Sequence, residues 1–308
     1  MIVATAKQET MESAKMDDGR TIFIVSDLHM GDGGPRDNFA VDNKAAEFSC
    51  FLDFVEAEQG ELFILGDLFD FWQANIGKVL TKRLDFLDRF ARMRVTYMVG
   101  DHDADFEDLI GTGLLAHPFF EKMTGPFERV IGPKRFKFMH GHEVDPFNRD
   151  GTPRWGRILA ILGGLIEDRK GSPLLSAGGF TEKTLLRMGR SFMWLWNDSV
   201  NWLEKSNRKE KRHSVMESLT PAQDPTREKG ILALYQQDRK RNGYDVLVAG
   251  HTHHAGVFKD WYYNSGCWIG LRNNFLRIET NGRTELWEWK RDQPMPFQKK
   301  KLRGLMTH

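Results

Sequence analysis

Short apolar runs that stop abruptly at polar residues set the rhythm of this chain. Residues 21–25 (TIFIV) are β-branched and aromatic and end at Ser26-Asp27-Leu28-His29, which is how a buried strand delivers polar side chains to its tip. The transition recurs: 62–65 lead into Gly66-Asp67, 95–99 into Gly100-Asp101-His102-Asp103, 136–139 into His140-Gly141-His142, and 246–249 into Gly250-His251-Thr252-His253. Between the first three runs lie helix-like stretches. Residues 43–59 place Ala46, Phe51, Phe54 and Val55 near one face, and 80–93 repeat Leu84, Leu87, Phe90 and Ala91. Strand, polar tip and helix in alternation predict an α/β layered fold whose ligands gather beyond the strand ends. Later runs (Val257, 261–263, 276–278 and 284–287) read as short antiparallel strands. The expected architecture is a two-sheet mixed β sandwich flanked by helices.

The rhythm breaks between about residues 150 and 241, where glycine-punctuated, helix-like sequence of mixed charge takes over. This predicts a helical insertion or lid at 151–240, dividing the core into 21–150 and 241–290. Within it, 191–203 (SFMWLWNDSVNWL) set Phe192, Leu195, Trp196, Ser199 and Trp202 on one helical stripe, read as core or lid packing. The run 205–213 (KSNRKEKRH) reads as a solvated basic face. Residues 1–20 lack a sustained apolar stretch, so they are expected to be a short tail rather than a signal or transit peptide. Residues 291–308, with Lys299, Lys300, Lys301 and Arg303, read as a basic tail. The longest apolar stretch, 158–166 (ILAILGGLI), is far below the roughly 20 residues that span a bilayer. No transmembrane segment is expected, and peripheral membrane contact stays open.

Composition narrows the class. With 40% hydrophobic and 28% charged residues, the chain has the balance of a soluble globular enzyme. Lys plus Arg (44) nearly equals Asp plus Glu (43), so no global field points to a polyanion such as duplex DNA. Cys50 and Cys267 stand alone in sequence, which argues against a zinc ribbon or disulfide framework and fits a reducing, cytoplasmic compartment.

The chemistry lies at the tips. His29, His102, His140, His142, His251, His253 and His254, seven of ten histidines, sit at or beside strand ends. The ordered clusters Asp27-Leu28-His29, Gly66-Asp67-Leu68-Phe69-Asp70, Gly100-Asp101-His102-Asp103, His140-Gly141-His142 and Gly250-His251-Thr252-His253 resemble the signature DxH, GDxxD, GNHD, GH and GHTH of the calcineurin-like metallophosphoesterases. The resemblance covers residues 21–145 and 244–254. It implies that Asp27, His29, Asp67 and His253 hold one divalent metal ion, and that Asp67 (bridging), Asp101, His140 and His251 hold a second. It also implies that His102 stabilises the transferring phosphoryl group and protonates the leaving oxygen, oriented by Asp70 or Asp103. Independently, imidazole and carboxylate together suit borderline cations, Mn first and Fe or Zn as alternatives, whereas Ca or Mg would favour all-oxygen shells. Two such ions about 3.5 to 4 Å apart can share a carboxylate, activate a water and stabilise both attacking and leaving oxygens.

Asp101 departs from the family's Asn, and its extra negative charge lowers the Lewis acidity of the site and bears on metal preference. His142 and His254 read as supporting or surface groups, and Asp32 and Asp145 as loop residues. Within the superfamily, Gly66-Asp67-Leu68-Phe69-Asp70-Phe71-Trp72, the distal GHTH and the helical insertion are similar to the UDP-2,3-diacylglucosamine diphosphatases of bacterial lipid A synthesis. That branch implies a lipid-linked nucleotide substrate and a cap over acyl chains, although its best-known members carry Arg at the position of His102. Two other readings stay open. One is a phosphodiesterase or nuclease using the basic insertion and tail as a track for single-stranded nucleic acid, with Trp rings stacking bases. The other is a catalytically weakened metal-binding scaffold, against which the metal-competent residues at all seven ligand positions and at His102 speak.

Overall fold

The structure, a computed structural model, describes residues 19–34, 37, 39–40, 43–145 and 225–297. The chain runs through β1 (Ile22–Val25), α1 (Lys44–Ala57), β2 (Glu61–Leu65), α2 (Ile76–Lys82), α3 (Leu84–Arg92), β3 (Val95–Met98) and β4 (Met123–Thr124). It continues with β5 (Phe127–Ile131), β6 (Lys134–Phe138), α4 (Pro225–Asn242), β7 (Val246–Ala249), β8 (Gly256–Phe258) and β9 (Tyr262–Asn264). The described part closes with β10 (Asn274–Ile278), β11 (Thr284–Lys290) and β12 (Gln293–Pro296). One sheet has the order β12-β11-β10-β1-β2-β3-β4 and the other β5-β6-β7-β9-β8, so the architecture is the expected α/β two-sheet sandwich.

Both faces of the central strands are buried, which explains their continuous apolar sequences. Ile22, Ile24, Phe63, Leu65 and Met98 meet Phe136, Phe138, Val246 and Val248 between the sheets. The alternate residues Phe23, Val25, Leu62 and Ile64 pack outward under Phe48, Phe51, Phe86 and Phe90. Leu247, Ala249 and Tyr262 are covered by Ile231 and Tyr235 of α4. Each such side chain contributes about 1.5–3 kcal/mol on full burial.

The register aligns the tips. β1 and β2 run parallel with Val25 opposite Ile64, and β2 and β3 run parallel with Leu65 opposite Met98. The motifs that follow therefore leave the same edge of the sheet. In the second sheet, parallel β6 and β7 set Phe138 opposite Val248, which brings His140 level with Gly250. The Gly250 amide donates to the His140 carbonyl at 2.9 Å.

Several details differ from the sequence reading. The buried face of α1 is Phe48, Phe51, Leu52 and Val55, an i, i+3, i+4, i+7 stripe, while Ala46 is exposed. Contacts of Phe48 and Phe51 with Trp268 set this rotation. The helix expected over 80–93 is broken at Arg83, which pairs with buried Asp37 and donates from Nε to the Gly31 carbonyl at 3.0 Å. The break changes the helical phase and leaves Leu84 49% exposed, while Phe86, Leu87 and Phe90 form the buried face. β9 pairs antiparallel with β8 but parallel with β7. β12 extends the first sheet from within the stretch read as tail, and α4 packs on the core from within the stretch read as insertion. The apolar run 158–166, the tryptophan stripe, the basic run 205–213 and both chain ends (1–18 and 298–308) lie outside the described residues.

Candidate metal centre

Left-handed backbone bends the tips after β1, β2 and β7 where their polar side chains turn inward. Asp27, His29, Asp67, His251 and His253 all have positive φ, between 48° and 67°. Such left-handed backbone costs about 1–3 kcal/mol per non-glycine residue and persists where the surroundings impose it. The glycines of the motifs answer a second need, close approach. A Cβ at Gly100 would collide with the amide nitrogen and Oδ1 of Asp67, and a Cβ at Gly66, itself at φ +85°, would run into the His140 ring.

Three clusters of converging donors result among the described residues; one of them, His29, Asp70 and His102, shares His29 with the first of the two predicted ligand groups. Asp27, His29, Asp67 and His253 converge with their donor atoms within 4.8 Å of one another, and so do Asp101, His140 and His251. Asp67 joins them: its Oδ2 lies 3.5 Å from His29 Nε2 and 3.4 Å from His140 Nε2. Its Oδ1 accepts the His102 amide at 2.9 Å, which fixes the carboxylate plane. Asp101 Oδ1 lies 3.1 Å from His140 Nε2 and 3.2 Å from His251 Nδ1. The sequence-predicted ligand residues are thus all brought to one edge of the sandwich, and all but the partly exposed His253 are buried.

His102 sits beside both groups. Its Nδ1 is 3.1 Å from Asp70 Oδ1, and its ring stacks on Trp72 at 3.6 Å between centroids. Of the two carboxylates expected to orient it, Asp70 is the one in contact. Asp103 instead accepts the amides of Gly100 (2.6 Å), Leu68 (2.8 Å) and Phe69 (3.2 Å) and the Tyr97 hydroxyl (2.6 Å). It ties the second and third tips together. Burial and nearby Asp67 push its pKa up to about 6.

Charge is partitioned across the site. Burial works to lower the His102 pKa, but Asp67 and the Asp70 hydrogen bond lift it to about 9. His29, by contrast, falls to about 4 through burial and the neighbouring His102. Burial also opposes ionisation of Asp67, yet His140 beside it holds its carboxyl well below the usual range.

The donor set fits a cation. Asp27 Oδ2 accepts from the Ser26 hydroxyl and from the His251 amide at 3.1 Å. Its Oδ1 is buried without a hydrogen bond, although His253 Nε2 is 3.1 Å away. His29 Nε2 and His253 Nε2 face each other at 3.2 Å. Converging lone pairs on imidazole and carboxylate, with one buried oxygen unsatisfied, are the arrangement that a borderline divalent metal neutralises.

A family model for calcineurin-like phosphoesterases matches residues 20–255. The chain belongs to this family. The chain is 25% identical over 127 residues to a UDP-2,3-diacylglucosamine hydrolase of Porphyromonas gingivalis; the match takes in 40% of this chain and 46% of that protein. The chain therefore spans about half the length of the curated relative it matches. Among solved structures, Vacuolar Protein Sorting 29 from Cryptosporidium parvum is similar at 13% identity and a TM-score of 0.40, covering 91% of this chain and 96% of that one. Wild-type Vps29 of Entamoeba histolytica, complexed with Zn2+, is similar at 13% identity and a TM-score of 0.38, covering 89% and 96%.

Three residues of this candidate site escaped the sequence reading as contributors. Trp72 donates its indole N–H to the Asp101 carbonyl at 2.9 Å besides stacking on His102. Ser26 holds Asp27. Asp145, read as a loop residue, is buried with Oδ2 2.9 Å from His251 Nε2. Trp72 and Ser26 each adjoin a motif in sequence, which was the available signal; Asp145 had none. His142 is buried with Nε2 3.5 Å from Glu107, His254 contacts the Thr252 carbonyl at 2.7 Å, and Asp32 accepts the Gly34 amide in its loop.

Proposed function

We propose that this calcineurin-like phosphoesterase is a hydrolase that uses two divalent cations, Mn first and Fe or Zn as alternatives, to cleave a phosphoanhydride or phosphoester bond. The observation that carries the reading is the place of Asp67 Oδ2, nearly equidistant from a histidine nitrogen of each group. Asp27, His29, Asp67 and His253 would hold one cation; Asp67, Asp101, His140 and His251 would hold the other. Bound there, the pair supplies Lewis acidity and a nucleophilic water at neutral pH. His102, steadied by Asp70 and Trp72, is the proton donor to the leaving oxygen.

For the substrate, a UDP-2,3-diacylglucosamine-like nucleotide diphosphate is supported by the Porphyromonas gingivalis relative and by the Gly66-to-Trp72 motif. The apolar stretches 158–166 and 192–202, between the last two metal motifs in sequence, supply side chains suited to acyl chains. The test is incubation of UDP-2,3-diacylglucosamine with Mn-loaded protein, followed by mass spectrometry. Water added across the diphosphate gives UMP and 2,3-diacylglucosamine 1-phosphate. Turnover of bis-p-nitrophenyl phosphate without these products would reject the lipid substrate and keep the hydrolase. Full metal occupancy with no turnover of any phosphoester would reject the enzyme.

A further inference from the structure

We infer that Asp145 is a positioning residue for the second cation, acting through His251; the inference rests on the dinuclear reading above. His251 offers its two ring nitrogens to different partners. Nδ1 lies 3.2 Å from Asp101 Oδ1, inside the ligand group, and Nε2 lies 2.9 Å from Asp145 Oδ2. An ionised carboxylate only accepts, so Asp145 places a proton on Nε2 and leaves the Nδ1 lone pair for the cation. His140 is fixed from the other side. The Leu65 carbonyl, 2.7 Å from its Nδ1, accepts a hydrogen bond from the N–H there and leaves Nε2 facing Asp101 and Asp67. The two histidines of this group therefore bind through opposite nitrogens, each tautomer set from outside. A carbonyl is neutral and a carboxylate is charged, so Asp145 also makes His251 the more basic ligand.

Local geometry explains how Asp145 arrives there. The 3-10 turn His142–Val144 follows the His140 tip, and the Asp145 amide donates to the His142 carbonyl at 3.0 Å. This folds the chain back toward the neighbouring parallel strand β7, whose tip carries His251. One tip thus supplies a ligand of its own and the support for a ligand on the next. Removing Asp145 would take this acceptor from a buried N–H and free the ring to swap tautomer.

Calorimetric titration of metal-free protein with Mn tests this. Wild type should take up two ions. Asp145→Ala should weaken one of them by about 10–100-fold and leave the other unchanged. Asp145→Asn, which keeps an acceptor oxygen, should recover much of the loss. Long-range 1H–15N spectra of the zinc-loaded wild type should show the His251 proton on Nε2, a readout that holds even if a variant fails to fold. Two ions bound with wild-type affinity by Asp145→Ala, or a proton on Nδ1, would overturn the role of Asp145 alone. Fewer than two ions in wild type would overturn the dinuclear reading and this inference together.

Discussion

At the scale of single residues, the proposed roles predict that metal binding and turnover separate at His102. Its ring meets Asp70 and Trp72 and packs edge-on against His29 at 4.3 Å between centroids, while its backbone amide reaches Asp67. His102→Ala should keep both ions, measured by plasma mass spectrometry, while kcat falls by about 10²–10⁴-fold. The loss should shrink for p-nitrophenyl esters, whose leaving group hardly needs a proton. Asp67→Ala should behave differently, because one oxygen serves both groups. Metal content and turnover should fall together. Full metal in Asp67→Ala with loss of metal in His102→Ala would exchange the two roles. The ligand types were legible in the sequence because Asp and His at apolar run ends have few structural uses in such number. The choice between Asp70 and Asp103 was not, since both lie in motifs and only the fold turns Asp103 toward the Tyr97 hydroxyl.

At the scale of elements, backbone hydrogen bonds tie neighbouring tips together, from the Asp27 amide to the Gly66 carbonyl at 3.1 Å and from the Leu28 amide to the Asp67 carbonyl at 3.0 Å. Gly100 has no room for a side chain against Asp67. Gly100→Ala should cost about 1–3 kcal/mol in denaturant unfolding and displace the shared carboxylate enough to weaken metal binding. A substitution remote from the tips should separate these effects. Phe51, buried against Trp268, Phe275 and Trp289, should lose about 3–5 kcal/mol as Phe51→Ala with unchanged metal stoichiometry. Apolar periodicity revealed the helices but not their faces. The phase of α1 is set by which rings it meets on the sheet, and the break before α3 by the pairing of Arg83 with Asp37 across the chain.

At the scale of the whole molecule, the site is a device for holding carboxylates close together out of water. Asp27, Asp67 and Asp101 are all buried at one edge of the sandwich, where their mutual repulsion is poorly screened. Cations that bind only the folded chain should therefore stabilise it by about 2.7 kcal/mol per site at a hundredfold excess over Kd. Exhaustive chelation should lower Tm in scanning calorimetry, and added Mn or Zn should restore it. A Tm indifferent to metal would show that these carboxylates are neutralised within the chain alone.

By itself the sequence determined the alternation of strands and helices and the kind of atoms each tip presents, because both depend on local period and side-chain chemistry. Tertiary structure decided the rest. Parallel register aligned the tips within each sheet, and the packing of one sheet on the other brought the Asp27 carboxylate to the His251 amide, 224 positions away. Left-handed backbone turned their side chains inward, and long-range packing chose which carboxylate supports which histidine. Those outcomes depend on distances between distant parts of the chain, and no local pattern records them.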